Sequence, residues 1–254
     1  MDGLEFFDCS CEFGPYRTHV YRAARTAPEL LDDMDFVGIE RALVWHTASR
    51  FDAPGIGNCR LLEEIQDQDG NRYPRLEPSW TLLPSHTREL PPLPEMLVQM
   101  RAMRVRSLRL FQNEHRYFMD EMTWGDQMAE LEARKIPLFI RARLDEISLL
   151  LKSFPSLTVV TGTQGFNPMD RYAWPLIERY PNLHYETSSY LADSILEEFC
   201  RHWPVSRLVY GSGYPENAYG AALFRLIRAE LEDDQRRMIA AGNLDRLLGE
   251  ADLS

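Results

Sequence analysis

Eight short runs rich in apolar and β-branched residues recur along the chain, each followed by a stretch of helical period. The runs are Leu4–Cys9, Arg41–His46, Ser79–Leu83, Val105–Phe111, Ile136–Arg141, Leu157–Gly162, Leu183–Thr187 and Arg207–Gly211. Pro, Gly, Asn or Asp bound them, as they bound parallel strands buried on both faces. Helical period falls on Ala27–Ile39, Leu93–Met103, Asp120–Arg134, Asp145–Phe154, Asp170–Tyr180 and Leu191–His202, and after the last run on Ala221–Leu231 and Gln235–Leu248. Phe154-Pro155-Ser156-Leu157 and Tyr180-Pro181-Asn182-Leu183 each place a proline where a helix must stop and a strand begin. Right-handed crossovers close eight such units most simply into a ring. The expected fold is therefore α/β, a single (β/α)₈ TIM barrel with an extra C-terminal helix. An open doubly wound sheet is the rival, but no Gly-rich phosphate fingerprint follows the first run. One domain covering residues 1–254 is expected, with Arg50–Pro78 an insertion over one face and Glu89–Pro94 a loop.

A length of 254 residues suits one large barrel, and 44% hydrophobic content supports its core. The net charge of −11, from 39 acidic and 28 basic side chains, argues against a nucleic-acid surface, which needs clustered cations. Neither a signal peptide nor an apolar run of about 18 residues is visible, so the chain reads as cytoplasmic, with no membrane partner. Cys9, Cys11, Cys59 and Cys200 show no disulfide framework.

Five segments, in order, resemble the amidohydrolase-related barrels, the group that includes aminocarboxymuconate semialdehyde decarboxylase-like enzymes. Phe6–Gly14 looks like a first strand ending in Asp-x-His-x-His, and Phe154–Gly165 like a sixth running from Pro-x-Leu to His-x-Gly. Asn182–Ser189 resembles the seventh, Arg207–Pro215 the eighth with its Gly-Ser-Asp-x-Pro, and Ala241–Leu248 the closing Gly-Asn-x-x-Arg-Leu-Leu helix. The departures fall on the metal ligands. The first-strand histidines are assigned to Cys9 and Cys11, the fifth-strand histidine to Arg141, the sixth-strand histidine to Thr163 and the eighth-strand aspartate to Gly213.

A hydrolytic metal lowers the pKa of bound water to about 7 and needs converging imidazoles and carboxylates. Gly213 offers no ligand, and the permanent charge of Arg141 repels a divalent ion. No metal and no cofactor are expected. Strand alternation should point Cys9 and Cys11 to one face, either as a thiolate pair or as small residues filling space left by imidazoles. Arg141, Arg109 and Arg143 suit either a clamp for a small anion or internal ion pairs. Ser212, Tyr214 and Thr163 join them as candidate wall residues at the barrel mouth. His46, His115 and Glu216 are candidate acid–base groups, with hydrogen-bonded wall positions or a helix N-terminus as their alternatives.

Three readings follow. The leading one is an amidohydrolase-like barrel with a degenerate metal site that binds a small anionic ligand or a partner without metal-dependent hydrolysis. The second is a metal-independent hydrolase, lactonase or decarboxylase-like lyase, and the third a hydrolase with a Cys-containing metal site. Similar proteins often dimerise, so a homodimer is the family expectation.

Overall fold

The computed structural model describes residues 3–16, 22–162, 171–189 and 194–254. Nine strands lie among them: β1 (Phe7–Phe13), β2 (Arg41–His46), β3 (Leu76–Pro78), β4 (Trp80–Thr81), β5 (Leu108–Phe111), β6 (Leu138–Arg141), β7 (Val159–Thr161), β8 (Leu183–Glu186) and β9 (Leu208–Val209). They pair in parallel as β1-β2-β3 and as β4-β5-β6-β7-β8-β9.

The two runs are one ring. Pro78 ends β3 because proline has no N–H to give the ladder. One residue on, the Ser79 N–H still donates to Val44 O of β2 at 2.9 Å, while the Trp80 N–H turns to Ser107 O at 3.3 Å. β3 and β4 are thus one stave that pairs with β2 by its first half and with β5 by its second. At the other seam the Cys9 N–H donates to Tyr210 O and the Glu12 N–H to Tyr214 O, both at 3.0 Å, joining the eighth stave to the first. The eight staves close into one parallel ring, and the expected fold class holds.

Eight staves enclose a small inner core of Phe7, Cys9, Leu43, Phe139, Val160 and Val209. Leu244, Leu247 and Leu248 of the helix Asn243–Glu250 join it, so the C-terminal helix plugs the amino-terminal end of the barrel. The larger core fills the shell between the staves and the outer helices. Asn243 explains the Gly-Asn motif. Its buried amide donates to Val205 O at 2.9 Å and Leu208 O at 2.8 Å, pinning the plug to the start of the last stave.

Helix positions follow the sequence reading, with ends displaced by a few residues. The exception is Arg50–Pro78, read as an insertion. It holds part of the helix Thr47–Phe51, the crossover helix Pro54–Glu64 and strand β3. The Gly, Asn and Asp content that suggested an insertion divides mainly between the start of the crossover helix, at Gly55, Gly57 and Asn58, and the junction of helix and strand around Asp67–Asn71. Among the described residues, no helix is long and apolar enough to cross a membrane.

Replacing Asn243 by alanine strips two buried carbonyls of their donor, at about 1–3 kcal/mol. Thermal unfolding should show a Tm lower by roughly 2–4 °C for each kcal/mol lost. An unchanged Tm would mean that the plug is held by apolar contact alone.

Candidate functional site

The first strand carries a bulge that decides what reaches the barrel mouth. Asp8 pairs with Ala42 and Cys11 with Val44, so Cys9 and Ser10 together oppose the single residue Leu43. Asp8 holds it in place: its Oδ1 accepts the Ser10 N–H at 2.9 Å, an Asx turn, and the Ser212 N–H of the eighth stave at 2.9 Å. The extra residue reverses the alternation beyond it. Cys9, Ser10 and Glu12 line the cavity, whereas Cys11 faces the outer shell, its Sγ donating to Asp8 Oδ2 at 3.1 Å and lying 3.6 Å from the Tyr219 hydroxyl. The expected pairing of Cys9 and Cys11 on one face is therefore corrected, and a two-thiolate centre is not formed. Counted from Asp8, the two histidines of an Asp-x-His-x-His pattern fall on Ser10 and Glu12, which face the cavity.

That cavity opens at the carboxyl end of the staves and holds about 120 Å³. Arg109 of β5 lies within it, 95% buried, with its guanidinium carbon 3.7 Å from the Trp45 ring centre and 4.7 Å from that of Phe139. One Nη donates to Cys9 O at 2.5 Å, but Nε has no hydrogen-bond partner, and among the described residues no carboxylate comes within ion-pair distance. Burial pulls its pKa down to about 10, which still leaves it charged at neutral pH. A buried cation with an unmet donor is costly unless an anion arrives.

Glu186, at the end of β8, lines the same cavity. Its carboxyl accepts the Ser188 N–H at 2.9 Å and the Ser188 hydroxyl at 2.5 Å. Burial raises its pKa above the usual carboxylate value, against the lowering pull of those two bonds. Gly162 and Gly211, on the flanking staves, make room for it. A Cβ at either would fall inside contact distance of a Glu186 carboxylate oxygen.

Above these two sits a ring of ion pairs. Arg50 reaches Glu12 at 3.1 Å, Glu216 at 2.9 Å and Glu114 at 2.7 Å, and Arg141 closes on Glu216 at 2.6 Å. Burial drives the Glu12 pKa up even with Arg50 alongside. For Glu216 burial pulls upward, but Arg141 and Arg50 together win and hold it below the ordinary value.

The sequence-named residues divide accordingly. Cys9, Arg109, Arg141, Tyr214 and Glu216 line the cavity together. Arg141 is already matched to Glu216, so its guanidinium is not a free clamp. Arg143 is corrected: it is 66% exposed, off the cavity wall, and paired with Asp145 beside the helix it precedes. Ser212 is buried in the eighth stave, its hydroxyl accepting the Tyr214 N–H at 3.0 Å. The Tyr214 hydroxyl is taken up by Asp33 at 2.6 Å and the Ala24 N–H at 2.7 Å. His46 caps the helix Thr47–Phe51 through Nδ1, and burial lowers its pKa to about 4. His115 braces Arg50 O at 3.1 Å and borders a separate cleft. Thr163 lies outside the described residues. Glu186, Ser10, Glu12 and Arg50 were missed. Glu186 did leave a signal, an acidic residue opposite Leu183 and Tyr185 in the alternation of a strand end.

The donor set does not suit the metal that the resemblance implies. Of the matched positions Ser10, Glu12, Arg141 and Gly213, only Glu12 is a strong ligand, and it is engaged by Arg50 and the Tyr16 hydroxyl. Among the described residues, no group of three or more His, Cys, Asp or Glu could hold a metal ion.

No family model and no curated protein matches the chain. Solved structures do. 5-Carboxyvanillate decarboxylase LigW from Sphingomonas paucimobilis superposes with a TM-score of 0.74 at 14% identity, over 97% of this chain and 99% of that one. 2,6-Dihydroxybenzoate decarboxylase from Rhizobium gives 0.73 at 14% identity, over 97% and 99%. A protein assigned as 2-pyrone-4,6-dicarboxylic acid hydrolase from Pseudomonas putida gives 0.73 at 13% identity, over 97% and 98%. At such identities the likeness is one of fold, and the chain shares the TIM barrel of these decarboxylases and of this hydrolase from end to end.

Proposed function

We propose that this barrel is a metal-independent, decarboxylase-like lyase of the amidohydrolase-related kind, acting on a small carboxylate. The observation that carries it is the pair in one cavity: the buried, unmatched guanidinium of Arg109 and the buried carboxyl of Glu186 with a raised pKa. Two decarboxylases sharing the fold support the reaction type. The cavity volume lies below the roughly 300–1,000 Å³ of drug-sized sites, which fits a small acid.

In this reading the substrate carboxylate enters between Trp45 and Phe139 and accepts from Arg109 Nε. Glu186, held by Ser188, donates its proton to the unsaturated carbon bearing the carboxylate, and a π pair of the substrate forms the new C–H bond. The bond from that carbon to the carboxyl carbon then breaks, its electron pair restores the π bond, and CO₂ leaves. Water returns a proton to Glu186. A raised carboxyl pKa suits this donor role better than it suits the base that hydrolysis would need. His46 and His115 stand off the cavity and do not supply such a base. The replaced ligand positions favour a second reading, in which the cavity binds the acid without turning it over.

Small aromatic and unsaturated acids, screened for CO₂ release, test this directly. Arg109→Met should raise KM by about 10- to 150-fold, the worth of hydrogen bonds to a charged group. Glu186→Gln should lower kcat by roughly 10²–10⁴-fold. In the wild type kcat should fall as pH rises through the raised Glu186 pKa, since the acid form is the donor. Binding that depends on Arg109 but never releases CO₂ would leave the binding reading; acids that ignore Arg109 would refute both.

Stability gives an independent readout on Glu186. A carboxyl whose folded pKa exceeds its unfolded value holds its proton more tightly when folded, so its contribution is lost as pH rises through the folded pKa. Glu186→Gln should therefore gain Tm relative to wild type as pH rises from the ordinary carboxylate value through the raised folded one. A difference that stays flat with pH would mean that the carboxyl titrates normally.

A further inference from the structure

We infer that the cavity is selective for a single negative charge, binding monocarboxylates and rejecting dicarboxylates. The inference rests on the reading of Arg109 as the anion site and adds the rule by which that site discriminates. Among the described residues, three guanidinium groups stand at the mouth, but two are already matched. Arg50 contacts Glu12, Glu114 and Glu216, and Arg141 contacts Glu216. Three carboxylates therefore face two cations around the rim. Even with Glu12 protonated the rim is neutral, and with Glu12 ionised it is negative. Among these described guanidinium groups, only Arg109, below the rim, has no carboxylate partner.

The other groups in reach of a ligand deepen the asymmetry. Glu186 adds a carboxyl that turns negative on losing its proton, and burial holds the Cys9 thiol neutral. Phe111, Phe139, Ile140 and Val160 add apolar wall, and Ser10, Ser188, Ser189 and Asn217 add polar groups that are neutral and carry no charge to balance a second carboxylate. One anionic group is met by Arg109, and a second meets only neutral wall or a rim of zero or negative charge. Rejection by an unpaired buried charge is how a site discriminates most strongly between ligands of one shape.

The test separates charge from size. Benzoate, isophthalate and 3-carbamoylbenzoate are titrated calorimetrically into wild type, Arg109→Met and Glu114→Gln. The carbamoyl acid has the shape of isophthalate with one charge. In wild type it and benzoate should bind at least tenfold more tightly than isophthalate. Glu114→Gln removes one rim carboxylate that lies outside the cavity wall, and it should narrow that gap several-fold while leaving benzoate unchanged. Isophthalate binding as tightly as the carbamoyl acid would overturn the charge rule while leaving the anion site intact. Equal rejection of isophthalate and the carbamoyl acid would reduce the effect to size and overturn it as well. Benzoate binding that survives unchanged in Arg109→Met, or no benzoate binding at all, would remove the anion site itself, and the rule with it.

Discussion

A buried carboxylate on the first stave, Asp8, ties together the two ends of the barrel and sets its chemistry. Its Oδ1 takes the Ser212 N–H of the eighth stave and the Ser10 N–H of its own. The first bond supports the seam where the ring closes. The second shapes the bulge that turns Ser10 and Glu12 inward and Cys11 outward. Burial raises the Asp8 pKa, and the hydrogen bonds from Ser212, Ser10 and Cys11 work against that rise. Without this contact neither the seam nor the inward face of the first strand would be arranged as it is.

Inside the ring, charge is distributed by depth. The rim is a branched network in which Arg50 is shared among Glu12, Glu114 and Glu216, and Glu216 in turn between Arg50 and Arg141, and it braces staves one, five and eight through Glu12, Arg141 and Glu216. Such a network holds geometry well but has little to give a ligand, since each guanidinium already has its partner. Deeper down, Arg109 lies between aromatic rings with an unmet donor, and Glu186 fills space that two glycines leave open. The proposed pair is therefore set below the ion pairs. Depth removes water from both groups, which strengthens attraction to a ligand anion and favours the protonated carboxyl.

Much of this was legible in the sequence. Strand and helix alternation yields the barrel because buried parallel strands and crossover helices leave separate periods in the residues. The Gly-Asn motif identified the closing helix, whose amide pins the last stave. The site was harder. A bulge shifts facing by one residue without marking the sequence, so Cys9 and Cys11 read as neighbours on one face when they are not. Arg141 drew attention through its matched position, yet only the fold brings Glu216 to it from 75 residues away. Arg109 was named beside Arg141 and Arg143, but nothing in the sequence set it apart from them, because its isolation depends on which carboxylates stay out of reach. Arg50 was hidden in a segment whose Gly, Asn and Asp content suggested an insertion over one face, although that segment carries a crossover helix.

On the proposed reading Arg109, and not Arg141, receives the anion. A crystal structure of the protein soaked with benzoate tests this most directly. The expected result is a carboxylate against Arg109 Nε between Trp45 and Phe139, with the Arg141–Glu216 pair intact. A carboxylate seated on Arg141 with Glu216 displaced, or found only outside the barrel mouth, would contradict it.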